Sequence, residues 1–221
     1  MRNFLLQNGP ILAALLAAAE LILGVLLVRL YAKKKKTILL LMAIVALALC
    51  YDAAVLALGS VLPEGVLKPL SLLRFIFHGA CIPLLLPICG YALGLKKRGM
   101  TILWTVTAVI LITGAVCGAL TKLEPSKAAG ITRYLSGDGT PAFAEKFLQI
   151  LSYGTVVPLI AAGLIVWIKK KKPQLFLAGF LMFAFSALGP ATGNFDLIFL
   201  IGMFGEVFMV LFFLLYGRKE K

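Results

Sequence analysis

Apolar residues in this chain come in long runs separated by short polar or basic breaks. Seven runs reach the length, about 17 to 25 residues, needed to cross roughly 30 Å of hydrocarbon at 1.5 Å per residue. They cover 10–32, 37–59, 71–95, 100–120, 147–168, 174–190 and 196–217. The pattern predicts an all-α polytopic membrane protein, a seven-transmembrane-helix bundle forming a single domain over 1–221. The sixth run is the shortest. Its Gly189-Pro190 end, followed by Gly193-Asn194, predicts a turn that joins it to the seventh run as a tight helical hairpin.

Breaks of only a few residues force consecutive helices to pack as antiparallel neighbours. The one long connection is 121–146. It holds Glu124-Pro125, a stretch over 128–135 expected to form a short interfacial helix, and a turn cluster from Ser136 to Pro141. A connection this long is either a solvated linker or a lid. Small residues mark the faces where helices meet, because close backbone approach supplies the attraction in lipid. Ala13, Ala17, Glu20 and Gly24 share a stripe on the first helix, and Gly79, Pro83, Pro87, Gly90 and Gly94 share one on the third. Pro83 and Pro87 lack an N–H, so the third helix is expected to kink near its centre. Pro158 would act similarly in the fifth, whereas Pro190 ends the sixth.

Composition fits this picture. Of the 221 residues 62% are apolar and 14% charged, against about half and a quarter in soluble domains. The 22 Lys and Arg against 9 Asp and Glu, formally +13, lie in short runs between apolar stretches and so mark orientation, with no nucleic-acid face. Arg29 with Lys33 to Lys36, Lys96 to Arg98, Lys169 to Lys172, and Arg218, Lys219 and Lys221 hold 15 of the 22, all at one end of the bundle. Lys and Arg in short loops stay cytoplasmic, which predicts an outside N-terminus, a cytoplasmic C-terminus and a multi-pass place in the plasma membrane. Trp104, Trp167, Tyr31, Tyr91 and Tyr216 fall near the same end, at headgroup level. The bilayer is thus the first partner, and the basic rim would attract anionic lipids. Glu20 and the length of the first run argue that it is a retained helix, not a cleaved signal. Cys50, Cys81, Cys89 and Cys117 all lie in spans, without a CxxC, and suggest neither a disulfide framework nor zinc.

Ionisable residues at membrane depth cost roughly 2.5 to 3.5 kcal/mol on the insertion scale and require a reason. Five stand out. Glu20 lies about 15 Å below the outer end of helix one, Asp52 about 10 Å down helix two and Glu206 about 15 Å down helix seven. Arg74 and His78 lie about 5 and 10 Å down helix three, one turn apart on one face. All fall between the midplane and the outer surface, so helices one, two, three and seven are expected to surround a common cavity. Matching depth makes Asp52 and Arg74 the expected ion pair. Three carboxylates against Arg74 alone would leave negative charge uncompensated in low dielectric, and His78 changes charge near neutrality, which together suggest a proton-linked role. Tyr51, Tyr153 and Asn194 are expected to complete the polar lining. For each residue an interhelical hydrogen bond, or snorkelling in the case of Arg74, is the plain structural alternative.

A single His in the chain excludes a His-rich zinc site and bis-His haem, and no phosphate-binding loop, dinucleotide fingerprint or HExxH occurs. No metal or cofactor is expected. The seven-helix layout, with Arg74 nine residues before Pro83, resembles rhodopsins and other heptahelical receptors, but 196–217 has no Lys to form a retinal Schiff base, so the likeness is one of topology. The expected function is that of a proton-linked transporter of a small, possibly anionic solute. A heptahelical sensor, or a membrane-embedded lipid-modifying enzyme using His78 with a carboxylate, is the alternative.

Overall fold

In hydrocarbon every backbone N–H and C=O must find a partner within the protein, and long apolar runs satisfy this by closing into helices. A computed structural model describes residues 2–193 and 195–220, with side chains from residue 4 onward. Among the described residues, seven helical segments are long and apolar enough to cross a membrane. The chain is a multi-pass, all-α membrane protein.

A short helix α1 (Arg2–Gln7) precedes the first span, α2 (Gly9–Lys34), and the second is α3 (Thr37–Leu58). The third span comprises α4 (Glu64–Cys81) and α5 (Leu85–Leu93), separated by a 3-10 turn over Ile82–Leu84. The remaining spans are α6 (Lys97–Ala119), α7 (Ala142–Lys170), α8 (Gln174–Ala191) and α9 (Ile198–Lys219). The break in the third span lies at Pro83, where an amide donor is missing, as the sequence predicts. The span itself starts earlier than the apolar run, because Glu64, Lys68 and Pro69 sit in an amphipathic first stretch of α4 that hydropathy alone passes over. The assigned helix α7 runs unbroken through Pro158.

The spans pack as a ring. Each contacts its neighbours in sequence, α9 returns to α2, α3 also touches α9, and α5 touches α7. The small-residue stripes face these contacts. Ala13, Ala17, Glu20 and Gly24 are all buried along α2. A Cβ on Gly79 would collide with the Gly114 carbonyl of α6, and one on Gly114 with the Gly79 carbonyl, so the two backbones touch there. One apolar core fills the half of the bundle nearer the lysine clusters, around Leu39, Met42, Leu85, Leu159 and Phe213. A second lies at the opposite end, around Ala13, Ala53, Leu56, Ile131 and Leu200.

That opposite end carries a correction. Residues 128–135 form no interfacial helix; they belong to an antiparallel hairpin of β1 (Leu123–Ala128) and β2 (Ile131–Ser136). Ala129 and Gly130, at φ 51° and 75°, make the two-residue turn whose positive φ values match the twist of paired strands. Thr140 closes its base, its hydroxyl accepting from the Lys122 amide at 2.9 Å. The hairpin is packed down. Ile131 and Tyr134 are buried, the Thr132 amide donates to the Gly59 carbonyl at 3.0 Å, and the Ala129 turn sits against Gly9 where only a glycine fits. The Arg133 guanidinium lies over the Phe199 ring at 4.4 Å. Burial first, and then the charge of Arg74, lower the Arg133 pKa, with Asp196 opposing them. The hairpin therefore clamps the ends of α2, α3, α4 and α9 together.

At the other end, lysines cap helices. Lys34 Nζ donates to the carbonyls of Gly217, Arg218 and Glu220 at the end of α9, and Lys170 Nζ to that of Ala92 in α5 at 2.7 Å. These bonds satisfy terminal carbonyls and place cations at the negative ends of helix dipoles. Glu220 pairs with Lys172 at 2.8 Å and Lys36 at 3.8 Å. Burial alone would raise its pKa, but hydrogen bonds from Lys172 and Tyr216 and the charges of Lys172 and Lys36 outweigh that and hold it below the ordinary carboxylate value.

Candidate functional site

Helical periodicity puts Arg74 and His78 on one face of α4, and the packing of α4 on α3 brings that face to Asp52. Arg74 Nε donates to Asp52 Oδ1 at 2.6 Å, with side chains only 14% and 17% exposed. This is the pair that matching depth leads one to expect. Arg74 Nη1 is buried without a hydrogen-bond partner among the described residues, so part of the guanidinium fork is uncommitted. The rest of it lies near Phe75, at 5.4 Å from the ring centre.

Beside the pair opens a cavity of about 240 Å³ lined by Asp52, Arg74, Phe75, His78, Leu148 and Ser152. It lies among α3, α4 and α7, and not among the first, second, third and seventh spans. Asp52, Arg74 and His78 share it, whereas Glu20 and Glu206 do not line it. The reason is packing. The buried stripe of α2 turns Glu20 into the seam with α3 and α9, where it is fully buried and neither carboxyl oxygen has a hydrogen-bond partner among the described residues. Glu206 of α9 is half-buried, with Oε2 in the same condition. Glu20, Asp52 and Glu206 are close enough to interact electrostatically, as are Glu206 and Arg74. The carboxyl seam thus lies behind the cavity, and the hairpin clamps the helix ends around it.

The secondary candidates divide. Tyr51 donates to the Leu70 carbonyl at 3.0 Å and stands edge-on to Phe77, bracing α3 against α4. Tyr153 does not line the charged cavity; it stands 57% exposed on the perimeter of α7 and borders the larger cavity described next. Asn194 lies outside the described residues. The sequence reading missed α7 as a wall and Ser152 as the polar group on it. Its position one residue before Tyr153, inside an apolar span, was the available signal.

A second cavity, of about 340 Å³, adjoins the first and shares His78 and Ser152 with it. Its walls are mainly apolar, including Leu49, Ile82, Leu85, Val156, Met182 and Met209. The 3-10 break in the third span therefore contributes directly to the wall, through Ile82. No group of three or more potential metal ligands occurs among the described residues. Chemically, the arrangement offers a partly committed guanidinium, an imidazole and a hydroxyl around a space large enough for a small molecule, with titratable carboxyls one helix away. No protein-family model and no curated protein matches the sequence.

Proposed function

We propose that the protein is a proton-linked transporter that binds a small anionic solute at Arg74, with the hairpin end outside and the lysine-rich end in the cytoplasm of a plasma membrane. The observation that carries this reading is the cavity at Asp52, Arg74 and His78, placed beside a break in a membrane-spanning helix. Discontinuous helices at membrane depth are where transporters build solute sites, because irregular backbone is tolerated only where it lines a cavity. Arg74 would hold the anion through the part of its fork that Asp52 leaves free, since Arg stays charged and presents donors in a fixed plane. Asp52 would position it. His78 in the cavity, and Glu20 and Glu206 behind it, would take up and release the coupled proton.

The test is flux in proteoliposomes. Uptake of a solute that stabilises the purified protein should follow an imposed pH gradient and vanish in Arg74→Gln. Binding without flux under any gradient would replace transport by sensing. Orientation is tested separately by labelling a cysteine placed at Ser126 in the hairpin of intact cells; protection from a membrane-impermeant reagent would reverse it.

A further inference from the structure

We infer that the solute is a single-chain amphiphile, its anionic head at Arg74 and its hydrocarbon chain in the apolar cavity beyond His78. This rests on the anion-binding reading of Arg74 and adds the substrate class.

The two cavities differ in chemistry yet share walls. The first holds the ion pair of Asp52 and Arg74 beside the His78 imidazole, and the second, which shares His78 and Ser152, is walled mainly by apolar residues such as Leu49, Leu85, Val156 and Met209. A small hydrophilic anion would use only the first, leaving about 340 Å³ of apolar space beside it. That space is larger than the charged cavity, and it suits a run of methylene groups better than a second polar group. Two methionines in the wall suit a flexible chain, since an unbranched thioether adapts to its neighbour.

A third, smaller hollow of about 50 Å³ continues from the second between α7 and α8, sharing Ser152, Tyr153, Val156, Met182 and Ser186 and adding Phe183. Tyr153 is 57% exposed and Phe183 38% exposed, both on spans and both on the outer perimeter of the bundle. The apolar cavity thus reaches the face that meets lipid, while the charged one lies toward the hairpin end. An amphiphile already lying in the outer leaflet has this same polarity, head toward water and chain along the membrane.

The experiment uses the full chain in zwitterionic nanodiscs and measures binding of straight-chain carboxylates from butanoate to tetradecanoate, with uptake by empty nanodiscs subtracted. Each buried methylene contributes enough to lower Kd about two- to fourfold. Affinity should therefore climb at that rate over the shorter chains and level off once the chain has filled the cavity. Ser186→Phe, and independently Val156→Phe, should flatten the climb from butanoate to the longer chains; the second variant covers misfolding of the first. Arg74→Gln should weaken every carboxylate, and decyltrimethylammonium should not compete. Equal affinity for butanoate and decanoate would overturn the inference and leave the anion site standing. So would a climb that survives both phenylalanine variants, because the chain would then lie in bilayer. Absence of any Arg74-dependent binding would overturn the anion reading itself.

Discussion

Removing one partner of the Asp52–Arg74 pair should destabilise the protein more than removing both. The two groups meet at 2.6 Å and are 14% and 17% exposed. With an effective dielectric constant near 20, unit charges at that separation attract by about 6 kcal/mol. Taking each ion from water costs several kcal/mol, so the intact pair comes out near balance and a neutral replacement of both groups changes little. Deleting one leaves the other buried and unpaired, at about 3 to 5 kcal/mol. Because the pair borders a cavity wide enough for water, the lower figure applies. Asp52→Asn and Arg74→Gln should each lose about 3 kcal/mol, and the double variant clearly less than either, giving a coupling energy of more than about 3 kcal/mol. Equilibrium unfolding of the three variants in mixed micelles, followed by loss of the thermal or tryptophan signal, measures the cycle. Single losses below about 1 kcal/mol that simply add would mean that the pair is screened like a surface contact and is not the low-exposure pair described above.

Other outcomes follow from particular contacts. Gly79→Ala or Gly114→Ala should cost about 1 to 3 kcal/mol in the same unfolding assay, since each Cβ meets the opposing backbone carbonyl and the two helices must separate. Gly9→Val should push the Ala129 turn outward and accelerate amide exchange over 123–136, leaving the exchange of α6 unchanged. Glu220 has a lowered pKa when folded, so its contribution is present above the unfolded carboxylate value and fades as pH falls through the folded one. Glu220→Gln should accordingly cost up to about 1 kcal/mol at neutral pH, with wild type and variant converging in acid. Lys34→Met should lower the melting temperature, because it removes the donor to three carbonyls at the end of α9.

The seven spans are legible in the sequence because lipid permits few solutions for an apolar run of that length. The Asp52–Arg74 contact is legible too, since depth along two adjacent antiparallel helices is a one-dimensional property that counting residues recovers. What counting cannot give is rotation of each helix about its own axis. Glu20 and Glu206 have the right depth for the cavity yet face a different seam, and Ser152 stands on α7, whose packing against α5 and the Ile82–Leu84 turn residue counting does not supply. The hairpin escaped for another reason. Its turn is Ala129-Gly130 and not Asn-Gly or Asp-Gly, and each strand has only six residues. The β-branched and aromatic run Ile131-Thr132-Arg133-Tyr134 was the signal against a helix there.

The burial of Glu20 has a consequence for how the protein is made. Helix α2 leaves the ribosome well before α9, yet the seam that encloses this carboxyl is built from both, with α3 between them. Early in synthesis α2 can be sheltered on its α3 side alone, and the opposite flank stays open until the chain has passed residue 198. Until α9 arrives, that flank of α2 presents an acidic group that the packed ring hides. Arrival of α9 is what covers Glu20 on that flank, so closing the ring and hiding this carboxyl are one event.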